Sequence, residues 1–341
     1  MNKKISFIAM FVILSLLLTS CNQQNSSSSS DATVSEKQEV TILSANYDDR
    51  IALQLEYLRA KYPDADINIT YMSSGNLAAK LLTEGHDTTV DIAMSLSSGY
   101  ANSLKEEGLL LAFENETSYN PEYADASNMV LPNGVWCGAI LVNTVELERL
   151  QLPEPESYAD LLNPIYRGHI VMCDPNVSAT GYFYLLGLLN MYGEEEGWNY
   201  FDQLHASGNI KVWGNSGSIP SSMVEMGEAV IGLGMDYEGM RLESEGKPVK
   251  VVFPEEGVPF DYDTALLIDR GTEPSDFVLD VFRTITSAEG NDIFNNYNIA
   301  VLAGQDNRIE YPEHFALLDM QGITDATVKT SLTDAWRARY E

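Results

Sequence analysis

The 341-residue sequence predicts an α/β fold of two lobes joined by crossing strands, with a ligand cleft between them. Three observations carry this. Short apolar strands alternate with helix-period segments from Val40 onward, which implies a largely parallel sheet covered on both faces. Two extended runs, Gly134–Asn143 and Thr264–Asp269, bracket a second α/β series. The length suits two cores, at ~150 residues for each.

The elements follow in order. Val40 to Leu43 reads as a buried strand, and Ile51, Leu55, Leu58 and Tyr62 recur at helical spacing. Ile67, Ile69 and Tyr71 alternate as a strand does, Leu77, Leu81 and Leu82 return to the helical period, and Val90 to Met94 is a further apolar strand. Past the first extended run, strands are expected over 168–173, 210–213, 229–234 and 249–253, with helices near 182–192 and 195–205. After the second run the chain reads as mostly helical, over 276–286, 288–297 and 324–340. With the extended runs as the crossing strands, lobe one is expected over 40–138 plus 269–341 and lobe two over 139–268.

The N-terminal segment has a different character. Lys3 and Lys4 precede an apolar run from Ile5 to Leu18, closed by Leu18-Thr19-Ser20-Cys21. That is the layout of an export signal over residues 1–20, and the run is shorter than the ~20 residues needed to span a bilayer. The cysteine after the cleavage site resembles the lipobox of bacterial lipoproteins, which implies a lipid on Cys21. Residues 21–39 are polar, with serine unbroken from Ser26 to Ser30, and read as a flexible tether. The expected location is extracytoplasmic, on the outer face of the cell membrane or in a periplasm.

Fifty acids against twenty bases give a net charge of -30. Phosphate backbones need Lys and Arg, so nucleic acid is excluded as a partner, as is a basic-patch interaction with anionic lipid. Cys137 and Cys173 both stand in apolar strand-like runs and are expected as buried thiols rather than a bridge.

Ligands of open α/β sheets sit beyond the carboxyl ends of strands, on helix N-termini. Ser73, Ser74, Gly75 and Asn76 follow the Tyr71 strand and open a helix. Ser95 follows the Met94 strand. Ser178, Thr180 and Gly181 stand in the same relation to the strand ending at Cys173, and Asn215 and Ser216 to Trp213. Asp236, Tyr237 and Glu238 leave the strand that ends near Gly234, and Trp136 lies near a crossover. The alternative at each Ser or Thr is a helix cap, and at Trp136 a core position. Three Ser/Gly-rich helix starts across both lobes exceed what capping usually requires. No nucleophile elbow, HExxH, GxGxxG or Walker A pattern occurs, and the four histidines lack ligand spacing, so no enzyme is expected.

Asp174-Pro175 with Ser178-Ala179-Thr180-Gly181-Tyr182, the run Gly193 to Trp198, and Asn215-Ser216-Gly217-Ser218 with Met226 to Gly232 resemble the second-lobe signature of ABC-importer solute-binding proteins. Ser73-Ser74-Gly75, Val90-Asp91-Ile92 and Leu161 to Gly168 agree. The branch is that of ferric-ion, phosphonate and sugar-phosphate binders. The resemblance implies a bilobal periplasmic-binding fold of type II. It also implies capture of a small-molecule solute for an ABC permease and its ATPase, with no catalysis, no cofactor and a monomeric chain.

Ferric binders of this branch usually place two adjacent tyrosines on the metal, whereas this chain has 18 tyrosines and no Tyr-Tyr pair. The expected solute is therefore a small phosphorylated or phosphonylated organic anion held by Ser73, Ser74, Ser178, Thr180 and Ser216. Asp236, Tyr237 and Glu238 would take its hydroxyls or an ammonium and repel a bare inorganic anion, and Trp136 would stack on an organic part. The alternative solute is Fe(III) with Tyr237 as a ligand. Alternatives of another class are an anchored phosphoester hydrolase and a sensory or adhesion lipoprotein.

Overall fold

The computed structural model describes residues 38–46, 48–294, 298–307 and 309–341. The export signal, Cys21 and most of the tether lie outside them. Lobe one starts with three strand–helix pairs: β1 (Glu39–Ser44) and α1 (Asp48–Lys61), β2 (Asp66–Tyr71) and α2 (Ser74–Glu84), β3 (Ile92–Ser97) and α3 (Ser98–Glu106). β1 thus begins on Glu39, the last residue assigned to the tether. It pairs in parallel with β2 and β3. Successive strand residues point to opposite faces, and the cores follow that period. Val40, Ile42, Ile92 and Met94 share one core with Leu58 of α1, while Leu43 and Ala93 face α2 and α3.

β4 (Leu131–Asn143) is buried along its whole length because it belongs to both lobes. After it come α4 (Thr144–Leu150), β5 (Ile170–Cys173), α5 (Ala179–Tyr192), α6 (Glu194–Ser207), β6 (Ile210–Gly214), α7 (Ile219–Glu225), β7 (Ile231–Met235), α8 (Asp236–Ser244) and β8 (Val249–Val252). β9 (Phe260–Leu267), α9 (Asp276–Thr286), α10 (Ala288–Phe294) and α11 (Ala326–Tyr340) close the chain. The strand order is β2-β1-β3-β9-β4-β7-β5-β6, with β8 also on β4. Leu131 to Cys137 pair with β9 in lobe one, and Gly138 to Asn143 pair with β7 and β8 in lobe two. In lobe two Ile140, Val142, Ile170 and Met172 face α5 and α6, while Ala139, Leu141 and Val171 face α7 and α8.

Two expectations are corrected. The second extended run, expected as a crossing strand between the lobes, does not itself cross. β9 pairs with β3 and with the first half of β4, so it lies in the lobe-one sheet, and the return passage is the segment 253–259. The C-terminal helix was expected on lobe one. α11 instead packs on lobe two, where Trp336 meets Phe201 and Trp213 edge-on at 5.4 and 5.2 Å. Its stripe of Val328, Leu332, Ala335, Trp336 and Tyr340 extends the core built by α5 and α6.

The changeover on β4 is tightly built. A Cβ on Gly138 would meet the Tyr184 hydroxyl at 2.7 Å. That hydroxyl lies 2.9 and 2.8 Å from the carbonyl oxygens of Ala139 and Gly234, so a side chain at 138 would break the polar contact under the hinge. Cys137 and Cys173 are both free and buried.

Candidate functional site

A cleft of about 370 Å³ opens between the lobes, beyond the carboxyl ends of β1, β2, β3, β6 and β7. Lobe one lines it with Asn46, Arg50, Tyr71, Ser73, Ser74, Gly75, Asn76, Ser95, Ser97, Tyr100 and Asp263. Trp136 of β4 forms part of the floor, and lobe two adds Ser178, Thr180, Asn215, Ser216, Met235 and Tyr237. A larger groove of about 890 Å³ lies elsewhere, between β8 and residues 309–314. Six glutamates line it and it shares no residue with the cleft, so the strand-exit cleft is the candidate site.

Of the residues singled out in the sequence, Ser73, Ser74, Gly75, Asn76, Ser95, Trp136, Ser178, Thr180, Asn215, Ser216 and Tyr237 are brought together here. Gly181, Asp236 and Glu238 are not. A Cβ on Gly181 would strike the backbone of Cys173 and Asp174 at 2.6 Å, so this glycine seats α5 on the end of β5. Asp236 is fully buried. It accepts from the Cys137 amide at 3.1 Å, the Cys137 thiol at 3.0 Å and the Tyr311 hydroxyl at 3.2 Å. Burial pushes its carboxyl up to about 6, against the pull of those hydrogen bonds. Glu238 is also buried and accepts the Ser221 hydroxyl. Both residues begin α8 at the exit of β7, but their carboxylates turn into the protein. Neither therefore lines the cleft to repel a bare anion.

The hydroxyls differ in how far they are already committed. Ser178 caps α5, accepting from the Gly181 amide at 3.5 Å. Ser73 precedes α2 without making such a bond. Ser95 is the most unusual. A bulge between Met94 and Leu96 puts it in the left-handed region at φ 56°, which costs a non-glycine residue about 1–3 kcal/mol. Its Oγ is buried and has no hydrogen-bond partner among the described residues. Strain and an unpaired hydroxyl thus coincide at one point of the cleft lining.

Sequence reasoning missed Arg50, Asn46, Tyr71, Ser97, Tyr100 and Asp263. Asn46 and Arg50 follow β1, a strand exit like the others but one without a Ser- and Gly-rich loop. The Arg50 guanidinium carbon lies 4.9 Å from the ring centre of Tyr237, joining α1 of lobe one to α8 of lobe two across the cleft. Asp263 accepts the Trp136 indole N–H at 3.0 Å. Desolvation by burial raises its carboxyl to about 7, opposed by the Arg50 charge and that hydrogen bond. Trp136 is edge-on to Phe183 at 5.1 Å, so its ring packs in the core as well as forming the cleft floor.

Residues 87–325 match the family model described as bacterial extracellular solute-binding protein. The chain belongs to that family. The type II periplasmic-binding fold recurs in solved relatives. The periplasmic binding protein AfuA of Actinobacillus pleuropneumoniae, with exogenous fructose-6-phosphate bound, superposes with a TM-score of 0.77 at 20% identity, over 89% of this chain and 99% of that one. The periplasmic binding protein P5PA gives 0.74 at 18% identity, over 89% and 100%. Iron-bound HitA of Pseudomonas aeruginosa gives 0.72 at 17%, over 88% and 99%. At these identities the likeness is one of fold. An uncharacterised protein of Haemophilus influenzae is 31% identical over 121 residues, which is 35% of this chain. The match spans about a third of that relative's length (34%).

Proposed function

We propose that this solute-binding protein captures a small phosphorylated or phosphonylated organic anion outside the cell and delivers it to the permease of an ABC importer, tethered to the membrane by lipid on Cys21. Arg50 within a wall of hydroxyls carries the reading. One guanidinium shares the cleft with Ser73, Ser74, Ser95, Ser97, Ser178, Thr180 and Ser216. A guanidinium grips phosphoryl oxygens two at a time, and neutral hydroxyls add donors without a second charge to desolvate. The first turns of α2 and α5 line the same space, and helix N-termini favour anions. A volume of about 370 Å³ suits a compact solute. The fructose-6-phosphate bound to AfuA is a ligand of this chemistry on the same fold.

A second reading, Fe(III), is favoured by the phenols of Tyr71, Tyr100 and Tyr237 beside Asp263 in the same cleft, and by the iron held in HitA. Arg50 opposes it, because a guanidinium against the Tyr237 ring repels a trivalent cation. Calorimetry on the mature protein separates the two. Saturable binding of a phosphomonoester, weakened strongly in Arg50→Ala, is expected. Binding of ferric citrate with a visible phenolate band, and none of any phosphoryl compound, would overturn the first reading. Phosphate release during the titration would indicate a hydrolase.

A further inference from the structure

Beside the cleft lies a smaller chamber of about 170 Å³, and the two share Ser97, Tyr100 and Ala179 in their walls. The chamber is built from α3 and β9 of lobe one, α5 of lobe two, and α11 with the segment that leads into it. Lys329 of α11 places its ammonium 4.6 Å from the ring centre of Tyr100 and 5.4 Å from that of Tyr182, one ring from each lobe. It also lies 3.5 Å from the Tyr100 hydroxyl. Tyr182 is buried, and its hydroxyl has no hydrogen-bond partner among the described residues. The other charged groups here are acids. Asp261 accepts from the Ser98 hydroxyl and the Tyr262 amide, and Asp325 caps α11 through the Thr327 and Val328 amides.

The lining thus offers an ammonium that only donates, a carboxylate that accepts, and a phenol that does either. Asp261 turns away a second carboxylate or phosphate, and Lys329 turns away an ammonium. A neutral hydroxyl both gives and takes, so it satisfies all three groups. The volume is below that of complete ligand pockets, so the chamber fits one end of a solute. Buried phenols are rarely left unpaired unless something pairs with them.

We propose that this chamber is a second subsite, entered from the cleft past Tyr100, that takes the hydroxylated end of a solute whose anionic end the cleft holds. The proposal rests on the anion reading above. Calorimetric titration of the mature protein with ethyl phosphate, glycerol 3-phosphate and sorbitol 6-phosphate tests it, in the unmodified protein and in Tyr182→Phe and Lys329→Met. The unmodified protein is expected to prefer a hydroxylated probe over ethyl phosphate by about threefold to tenfold, the range of one net hydrogen bond. Each variant should erase that preference and keep the ethyl phosphate affinity. Tyr182→Phe should melt no lower than the unmodified protein, since it removes an unpaired group. Equal affinities for all three probes, or a preference that survives both variants, would overturn the subsite and leave the anion reading in place. A loss of ethyl phosphate binding in both variants would reduce the two residues to structural roles and also overturn it. No binding of any probe would overturn both readings.

Discussion

The two walls of the cleft are made of different chemistry. Lobe one brings charge, with Arg50 and Asp263 side by side in the lining, while every lobe-two residue there is neutral. Lobe two is not short of acids at this place in the fold, since Asp236 and Glu238 begin α8 directly beside the cleft. They are turned inward, one to the hinge strand and one to Ser221. The contrast separates two tasks. On the proposed reading, recognition of charge falls to one lobe, and the other adds hydroxyls and amides that cost less to desolvate than a second ion would.

The comparison breaks most visibly at Arg50. Arg50→Ala should lower affinity for a bound phosphomonoester by about tenfold to a hundredfold, the range for a hydrogen bond to a charged group, read by calorimetry. On the neutral wall, Thr180→Val and Ser216→Ala should each cost about threefold to tenfold. A Ser216 effect as large as that of Arg50 would mean that charge is not what lobe one contributes. Ser95→Ala should weaken binding by a similar few-fold while the ligand-free protein melts at the same temperature or higher, because the substitution deletes an unpaired buried hydroxyl. A fall in both affinity and melting temperature would assign Ser95 to the scaffold instead.

Asp263 gives the finest test, through pH. Its carboxyl titrates near 7 in the fold and near 3.9 in an unfolded chain. A raised acid pKa supplies stability that is fully present below the unfolded value and is lost as pH rises through the folded one. Asp263→Asn should therefore raise the melting temperature at pH 8 and leave it nearly unchanged at pH 4. The same titration sets the charge of the lobe-one wall. The ratio of anion affinities, unmodified protein over Asp263→Asn, cancels the ligand's own ionisation at about pH 6 and should rise several-fold from pH 8 to pH 6; the variant keeps an acceptor for Trp136.

Much of the chain could be read before its coordinates. α9 was expected over 276–286 and spans Asp276–Thr286, because its apolar residues repeat cleanly between a serine cap and a second serine. The Ser-rich strand exits at 73–76, 178–180 and 215–216 were legible because a helix start leaves backbone donors unpaired whatever the tertiary context. What failed was partner choice. The run Thr264–Asp269 is equally apolar in either sheet, and only its pairing with β3 places it in lobe one. The stripe on α11 shows that the helix docks but not on which lobe. Asp236 stood at the right strand exit, yet its orientation depends on Cys137 and Tyr311, which are distant in sequence. Arg50 follows β1 past a loop without the Ser and Gly that mark the other helix starts.

β4 is one ribbon woven into both sheets, with Tyr71 and Val177 on opposite lips of the opening, 46% and 61% exposed. Halves sewn together by a common strand can twist about it but cannot slide apart. A pair of dyes at those two positions would convert any change in the gap between the lobes into an optical signal, which would make the chain a scaffold for a reagentless sensor of its own cargo.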